Sequence, residues 1–163
     1  MITAILPGSY DPITVGHLDI IRRAASLYDE VVVLIAKNSA KNYLLCSKSR
    51  LALAEDAANE LPNVRCDSFD GYIVDYAARF EKAVLVKGLR SAADYTYEAE
   101  MAAYNAILME KKYGKALETV YLDAKRENAV ISSTLVRNLL SIGAAVEDYV
   151  PNAALLLSLL ANQ

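Results

Sequence analysis

The sequence predicts an α/β fold in which five parallel strands form one doubly wound sheet with helices on both faces. Three observations lead to this prediction. Short apolar runs rich in β-branched residues alternate with longer stretches of helical periodicity. The apolar runs are nearly continuous, which is typical of parallel strands buried on both faces. Because strands that alternate with helices imply right-handed βαβ crossovers, we expect a Rossmann-like core.

The five predicted strands are short, and most of them are rich in the valine, isoleucine and leucine side chains of a buried sheet. Polar or Gly/Pro-containing segments separate each strand from the helix that follows it. The predicted strands are Ile2–Leu6, Val31–Ala36, Val64–Asp67, Ala83–Lys87 and Thr119–Asp123.

Six helices are predicted between and after these strands. Ile21, Ala24 and Tyr28 share one face of the first helix, as expected for a helix that packs on a sheet. The second helix begins at Ser47, a favourable N-cap residue, and stops before Pro62. The predicted helices are His17–Tyr28, Ser47–Leu61, Ile73–Phe80, Tyr95–Lys112, Ser133–Ile142 and Asn152–Ala161.

Length and composition favour one folded domain over residues 1–163. The chain is 55% hydrophobic and 23% charged, which is typical of a protein with a sizeable core. Its net charge of −3 argues against a nucleic-acid or membrane partner. We expect a cytoplasmic protein, since no signal-peptide pattern and no 18-residue apolar stretch is present. Cys46 and Cys66 lack metal-ligand spacing, so we expect a buried, reduced pair and no metal-binding residues.

A Gly/Pro-containing turn follows the first predicted strand and leads to the only histidine of the chain, His17. In doubly wound sheets, ligands bind at the carboxyl ends of strands, where helix N-termini attract anions. A histidine at that place can hold a phosphate, and as an imidazolium it can stabilise charge that develops on phosphate oxygens. A purely structural role is the alternative for a lone histidine.

The segments after the other strands add hydroxyls and cations to the same edge of the sheet. They contain neither a cysteine nucleophile nor paired catalytic carboxylates. This set of side chains suits phosphoryl or nucleotidyl transfer, in which positioning and charge neutralisation dominate. The G-x-G-x-x-G fingerprint is absent, which argues against an NAD or FAD dehydrogenase.

Three motifs resemble those of a known enzyme family. The run Pro7–His17 ends in Thr14-Val15-Gly16-His17, which resembles the T/H-x-G-H signature of the nucleotidylyltransferase superfamily. The whole run is similar to that of the bacterial phosphopantetheine adenylyltransferases. The segment Lys87–Arg90 resembles their R-G-L-R motif with lysine first, and Asp94–Glu98 resembles the D-[FY]-x-[YF]-E that follows. The segment Ile131–Arg137 resembles I-S-S-[ST]-x-[VI]-[RK].

The resemblance implies reversible transfer of AMP from ATP to 4′-phosphopantetheine, which gives 3′-dephospho-CoA and pyrophosphate. This is the penultimate step of coenzyme A synthesis. The implied partners are ATP and 4′-phosphopantetheine, and the implied cofactor is Mg²⁺ bound with ATP, mainly through phosphates and water. The resemblance also implies a homo-oligomer, commonly a hexamer.

The resemblance further implies which residues form the site. His17 would stabilise the transition state, with Thr14 and Arg90 as further catalytic residues. The implied acceptor-binding residues are Ser9, Lys41, Tyr72, Ile73, Lys87 and Asn105. The implied ATP-binding residues are Ser9, Tyr10, His17, Gly88, Leu89, Arg90, Glu98, Asn128, Ala129, Val130, Ile131, Ser132, Ser133 and Thr134.

Alternatives stay open at the level of sequence. The segment 87–90 can be a solvated charged turn, Ser132 or Ser133 can be a helix N-cap, and Lys41 can be a surface lysine. A sister nucleotidylyltransferase that acts on nicotinamide mononucleotide or a polyol phosphate would share the Gly-His turn. A non-catalytic ATP-binding sensor would have a similar sheet but would release no pyrophosphate.

Overall fold

Five parallel strands form one sheet in the computed structural model, which describes residues 1–37 and 42–162. The strand order is β3-β2-β1-β4-β5. The predicted fold class is confirmed, and each strand lies within about two residues of its predicted bounds. The strands are β1 (Thr3–Gly8), β2 (Glu30–Ala36), β3 (Val64–Phe69), β4 (Ala83–Leu89) and β5 (Glu118–Asp123).

All six predicted helices are present, although some of their ends differ. The fourth helix begins three residues early because Ser91 caps it, accepting the Asp94 N–H at 3.2 Å. No helix of the described segments is long and apolar enough to cross a membrane. The helices are α1 (Val15–Leu27), α2 (Ser47–Ala58), α3 (Ile73–Ala77), α4 (Ala92–Tyr113), α5 (Ser133–Ser141) and α6 (Ala153–Ala161).

Helices cover both faces of the sheet. Val33 of β2 and Ile21 of α1 belong to one buried cluster, to which α2, α5 and α6 also contribute. The neighbouring strand residue, Val32, belongs to the opposite cluster with Val74 of α3 and Met109 of α4. Adjacent strand residues point to opposite faces, so the continuous apolar runs fill two cores at once.

The strand order reverses at β1, which places the topological switch point at the centre of the sheet. β1 pairs with β2 on one side and with β4 on the other. The crevice at the carboxyl ends of β1 and β4 is where ligands bind in open α/β sheets. The Gly/Pro-containing turn and the segment 87–90 both begin at this crevice.

The two cysteines are free, but Cys46 is exposed, so the prediction of a buried pair was wrong for this residue. Cys46 is the N-cap of α2, where its Sγ accepts the Ser49 N–H at 3.5 Å. An N-cap residue lies outside the body of its helix, so the packing of α2 does not enclose this thiol. Cys66 is half-buried in β3, and this burial, followed by the charge of Glu55, raises the pKa of its thiol to about 12.

Candidate active site

An open cavity of about 860 Å³ lies at the carboxyl ends of the strands, around the switch point. Residues of all three sequence motifs line it, although more than 110 positions separate the first motif from the last. The predicted site residues in its wall are Ser9, Tyr10, Thr14, His17, Tyr72, Ile73, Lys87, Gly88, Arg90, Glu98, Asn105, Asn128, Ile131, Ser132, Ser133 and Thr134.

Three of the predicted site residues that the structure describes do not appear in this wall. Leu89 is buried and borders a second, smaller cavity of about 370 Å³. Ala129 lies outside the wall, and Val130 exposes 78% of its surface to solvent. The side chains of these three residues therefore do not reach the main cavity in this conformation. Lys41 lies outside the described residues.

His17 is held by the residue that caps its own helix. The backbone N–H of Thr14 donates to Nδ1 of His17 at 3.0 Å, and the Thr14 hydroxyl lies 2.9 Å from the same nitrogen. The Thr14 hydroxyl also accepts the His17 N–H at 3.3 Å, which completes a reciprocal cap of α1. Because a backbone N–H can only donate, Nδ1 is an acceptor and the ring proton is on Nε2.

The imidazole of His17 is neutral at physiological pH. Burial, and after it the positive charge of Arg90, lowers the pKa of His17 from 6.5 to about 4. The imidazolium that the sequence analysis considered is therefore not the form that the structure favours. A neutral ring with its proton on Nε2 remains a hydrogen-bond donor to a phosphate oxygen, and its donor direction is set by Thr14.

Tyr10 packs beneath His17 and uses its hydroxyl within the protein. The Tyr10 hydroxyl donates to the Leu6 carbonyl at 2.8 Å, and its ring meets the His17 ring edge-on at 5.1 Å between centroids. A Cβ added at Gly8 would lie 2.8 Å from the Tyr10 ring. Gly8 is therefore required for Tyr10 to fold back over β1. The phenol ring supports the turn, so the backbone of Tyr10, and not its side chain, would contact ATP.

Lys87 and Glu98 form one ion pair inside the cavity, although the resemblance assigns them to different substrates. The Lys87 ammonium lies 3.1 Å from the Glu98 carboxylate and donates to the Pro7 carbonyl at 3.3 Å. Both side chains are about one-fifth exposed. The lysine implied to bind the acceptor is thus positioned by the residue implied to bind ATP.

The first turn of α5 is tied to the turn after β1. The Ser132 hydroxyl accepts the Leu135 N–H at 3.1 Å, so Ser132 is the N-cap. The Ser133 hydroxyl donates to the Pro12 carbonyl at 2.8 Å, and Arg137 donates to the Asp11 carbonyl at 2.8 Å. Capping and ligand binding are compatible here, because the N–H groups that begin α5 still lack intrahelical acceptors.

Four carboxylates line the cavity, and each already has a partner. Asp11 accepts the N–H groups of Leu44 and Leu45 at 2.7 and 2.9 Å. The other three form ion pairs, Asp70 with Lys37, Asp94 with Arg90 and Glu98 with Lys87. Across residues 1–37 and 42–162, no group of three or more His, Cys, Asp or Glu side chains is placed to hold a metal ion. The wall offers hydrogen-bond donors to an anion more readily than ligands to a cation.

An ion pair and a hydrogen bond hold the end of β5 and the loop after it against α1, and sequence reasoning did not find them. Asp19 of α1 pairs with Lys125 at 2.7 Å. Arg23, one turn further along α1, donates to the Asp123 carbonyl at 2.6 Å. Pairs between residues about 100 positions apart carry no local signal, so only the fold reveals them.

Sequence reasoning also missed Arg50, which lies immediately behind the turn after β1. Its guanidinium is buried and donates to the Ser9 carbonyl at 2.7 Å. A signal was present, because Arg50 stands three and four positions before the apolar residues Leu53 and Ala54. That spacing places it on the buried face of α2.

The fold and the cavity are those of a nucleotidyl-transferring class of protein. The family model described as cytidylyltransferase-like matches residues 5–139. The phosphopantetheine adenylyltransferase of Caldanaerobacter subterraneus subsp. tengcongensis is 38% identical over 152 residues, which cover 93% of this chain and 92% of the relative. That of Moorella thermoacetica is 40% identical over 151 residues, covering 93% and 91%. This chain belongs to the phosphopantetheine adenylyltransferase family.

A solved structure independently supports the fold. A putative nicotinate-nucleotide adenylyltransferase from Vibrio parahaemolyticus superposes with a TM-score of 0.69, covering 99% of this chain and 96% of that one. The two sequences are 18% identical, so the likeness concerns the architecture and not the substrate.

Proposed function

We propose that the protein transfers AMP from ATP to 4′-phosphopantetheine, forming 3′-dephospho-CoA and pyrophosphate. The observation that carries this proposal is the convergence of the three family motifs on one cavity at the switch point of the sheet. The names of the relatives indicate the acceptor. We further propose that the protein works in the cytoplasm and, in view of its net charge of −3, without a nucleic-acid or membrane partner.

In the proposed reaction, an oxygen of the acceptor phosphate attacks the α-phosphorus of ATP in line. The new P–O bond forms as the bond to pyrophosphate breaks, without a covalent enzyme intermediate. The Nε2–H of His17 donates to an α-phosphate oxygen as charge develops there, and Thr14 fixes the direction of that donor. Lys87, with Ser9 and Lys41, would hold the acceptor phosphate, while Arg90, the segment 128–134 and the start of α5 would hold ATP.

We propose that magnesium enters the site as the counter-ion of the ATP triphosphate. The support for this is that each carboxylate of the cavity wall is already engaged by a cation or by backbone N–H groups. Mg²⁺ commonly binds through substrate phosphates and water, with few protein ligands. The metal would then neutralise phosphate charge while the protein supplies the hydrogen-bond donors.

We also propose a homo-oligomer, with the hexamer implied by the family resemblance as the expected form. Along α4, apolar side chains are exposed at helical spacing. Tyr104 and Ile107, outside the cavity wall, expose 58% and 55% of their surfaces, while Tyr97 and Met101 expose 62% and 37% and also line the cavity. A helix that buries only Met109 and exposes such a stripe favours contact with another copy.

Pyrophosphate release from MgATP tests the reaction and its acceptor together. We expect release with 4′-phosphopantetheine and none with nicotinamide mononucleotide when each is offered separately. Release with the mononucleotide alone would keep the fold and the role of His17 but would contradict the acceptor. ATP binding without release in either case would contradict catalysis and favour the sensor alternative.

Lys87→Ala is expected to raise the KM for 4′-phosphopantetheine about tenfold or more, and the KM for ATP by less. A hydrogen bond between charged groups contributes about 1.5–3 kcal/mol, which corresponds to at least a tenfold change in affinity. The variant also leaves the Glu98 carboxylate unpaired beside the incoming phosphate. Steady-state kinetics with each substrate varied in turn would measure the effect.

The double variant Lys87→Ala/Glu98→Gln is the matched control for this prediction. It removes the unpaired carboxylate, so the KM for the acceptor should fall part of the way back to the wild-type value. Equal increases in both KM values for Lys87→Ala would place Lys87 outside the acceptor site.

A further inference from the structure

We propose that Arg50 of α2 is a positioning residue that turns the Ser9–Tyr10 peptide so that its N–H faces the phosphates bound in the cavity. Arg50 does not itself line the cavity, whereas Ser9 and Tyr10 do. The proposal rests on the proposed function, because it assumes that substrate phosphates occupy this part of the cavity.

The environment of Arg50 is unusual for a charged side chain. It is 1% exposed, and its two terminal nitrogens donate to the Ser9 carbonyl at 2.7 Å and to the Ser47 hydroxyl at 3.0 Å. Its guanidinium carbon lies 4.0 Å from the centroid of the Tyr43 ring. Its Nε is buried and has no hydrogen-bond partner among residues 1–37 and 42–162.

No carboxylate forms an ion pair with Arg50 in the part of the chain that the structure describes. The segment 38–41 contains no Asp or Glu. Burial of a guanidinium without an anionic partner is costly, so a purely stabilising role is a poor explanation for it. Its shortest hydrogen bond is to the carbonyl of Ser9, so the Ser9–Tyr10 peptide is the group that Arg50 would position.

The geometry of the peptide bond determines what this contact does. The Ser9–Tyr10 peptide is trans, and in a planar trans peptide the C=O and N–H groups point in opposite directions. The Ser9 carbonyl is directed to Arg50, behind the loop. The Tyr10 N–H therefore points to the other side of the loop, where the cavity lies. Within the described residues this N–H has no hydrogen-bond acceptor.

The loop is held in a conformation that it would not adopt freely. Tyr10 has a φ of +49°, in the left-handed region that residues other than glycine rarely occupy. The hydroxyl of Tyr10 holds one side of the loop through its bond to Leu6, and Arg50 holds the other side through Ser9. Such strain persists only where the surroundings fix it, and it is typical of functional turns.

The proximity of Tyr10 to His17 indicates which ligand atoms this N–H serves. The centroids of the Tyr10 and His17 rings lie 5.1 Å apart, and both residues line the cavity. The Tyr10 N–H and the His17 Nε2–H would donate to oxygens of the same or neighbouring phosphates. If the peptide rotated, the Ser9 carbonyl would face those oxygens instead and repel them.

Isothermal titration with magnesium pyrophosphate tests the proposal in the full-length protein. Arg50→Met keeps the length of the side chain and is expected to raise Kd about tenfold, as for loss of one hydrogen bond to a charged group. Arg50→Lys keeps one cationic donor for the Ser9 carbonyl and should recover part of that loss. Ser47→Ala is the matched control, since it removes the other partner of Arg50 and should leave Kd within about twofold.

The titration gives the number of binding-competent sites separately from Kd. Partial unfolding would lower the number of sites and leave Kd unchanged. A wild-type Kd for Arg50→Met would overturn the proposal. Equal rises for Arg50→Met and Ser47→Ala would also overturn it, because they would show a general loosening of α2.

A second measurement uses the wild-type protein and so does not depend on the folding of a variant. In wild-type protein, the ¹⁵N–¹H resonance of Tyr10 should move on addition of magnesium pyrophosphate, and an unmoved resonance in saturated protein would contradict the proposal. Failure of the proposed function would look different. Wild-type protein would then bind pyrophosphate but would not release it from ATP in the presence of 4′-phosphopantetheine.

Discussion

His17→Ala is expected to lower turnover by about 10² or more while the affinity for ATP stays close to that of the wild type. The Nε2–H of His17 is aimed by its bonds to Thr14, and in the proposed reaction it donates where charge grows in the transition state. An interaction that is stronger in the transition state than in the ground state lowers kcat when it is lost, with little effect on binding. Steady-state kinetics and ATP titration on the same preparations would measure both quantities.

Thr14→Val is the informative companion to this variant. It removes the hydroxyl beside Nδ1 but keeps the backbone N–H of residue 14 and the ring itself. We expect a loss of turnover about tenfold, smaller than that of His17→Ala, together with a cost of about 1 kcal/mol for the missing helix cap. Unchanged turnover in His17→Ala would remove His17 from the chemistry and leave it as a capping residue.

The periodicity of the sequence predicted the sheet well because both cores depend on it. Val32 and Val33 are each buried, on opposite faces. A strand that is buried on both faces needs a continuous apolar run, which the sequence shows. Helix ends were predicted less well, since they depend on single hydrogen bonds such as that of Ser91. The predictions of one domain and of the individual binding roles stay predictions.

The site could be located from the sequence because its motifs follow strand ends, and a doubly wound sheet gathers those ends. Its electrostatics could not be predicted in the same way. The charge state of His17 depends on how completely the fold buries it and on the approach of Arg90. The pairing of Lys87 with Glu98 depends on how α4 packs beside β4. These are properties of the assembled structure and not of any window of sequence.

Arg50 shows how an available signal can be misjudged. Its helical position marks it as buried, yet arginine is so commonly exposed that its residue type argues the other way. In the structure Arg50 is buried, and it supplies the hydrogen-bond donor that the Ser9 carbonyl requires at that place. A charged residue on the apolar face of a helix that packs behind a ligand-binding turn is a useful indication of a support for that turn.

Stability at acid pH should depend measurably on His17, which is the only histidine of the chain. Its pKa is about 4 in the folded protein and about 6.5 when unfolded. Between these values the unfolded chain binds a proton that the folded protein does not, so the free energy of unfolding falls as pH falls through this window. The contribution is fully present above pH 6.5, and about 3 kcal/mol of it is lost by pH 4.

His17→Gln isolates this effect, because its side chain does not titrate while the carboxylates titrate in both proteins. Glu30 and Asp75, whose pKa values are also lowered by their partners, therefore cancel in the difference. Urea unfolding at equal chain concentration, from pH 7.5 down to pH 4.5, should show the wild type losing stability relative to the variant. A difference that stays constant with pH would mean that the ring titrates near its ordinary pKa in the folded protein. His17 would then be available as an imidazolium in mildly acidic solution, and the transition state would be stabilised by a charged donor instead of a neutral one.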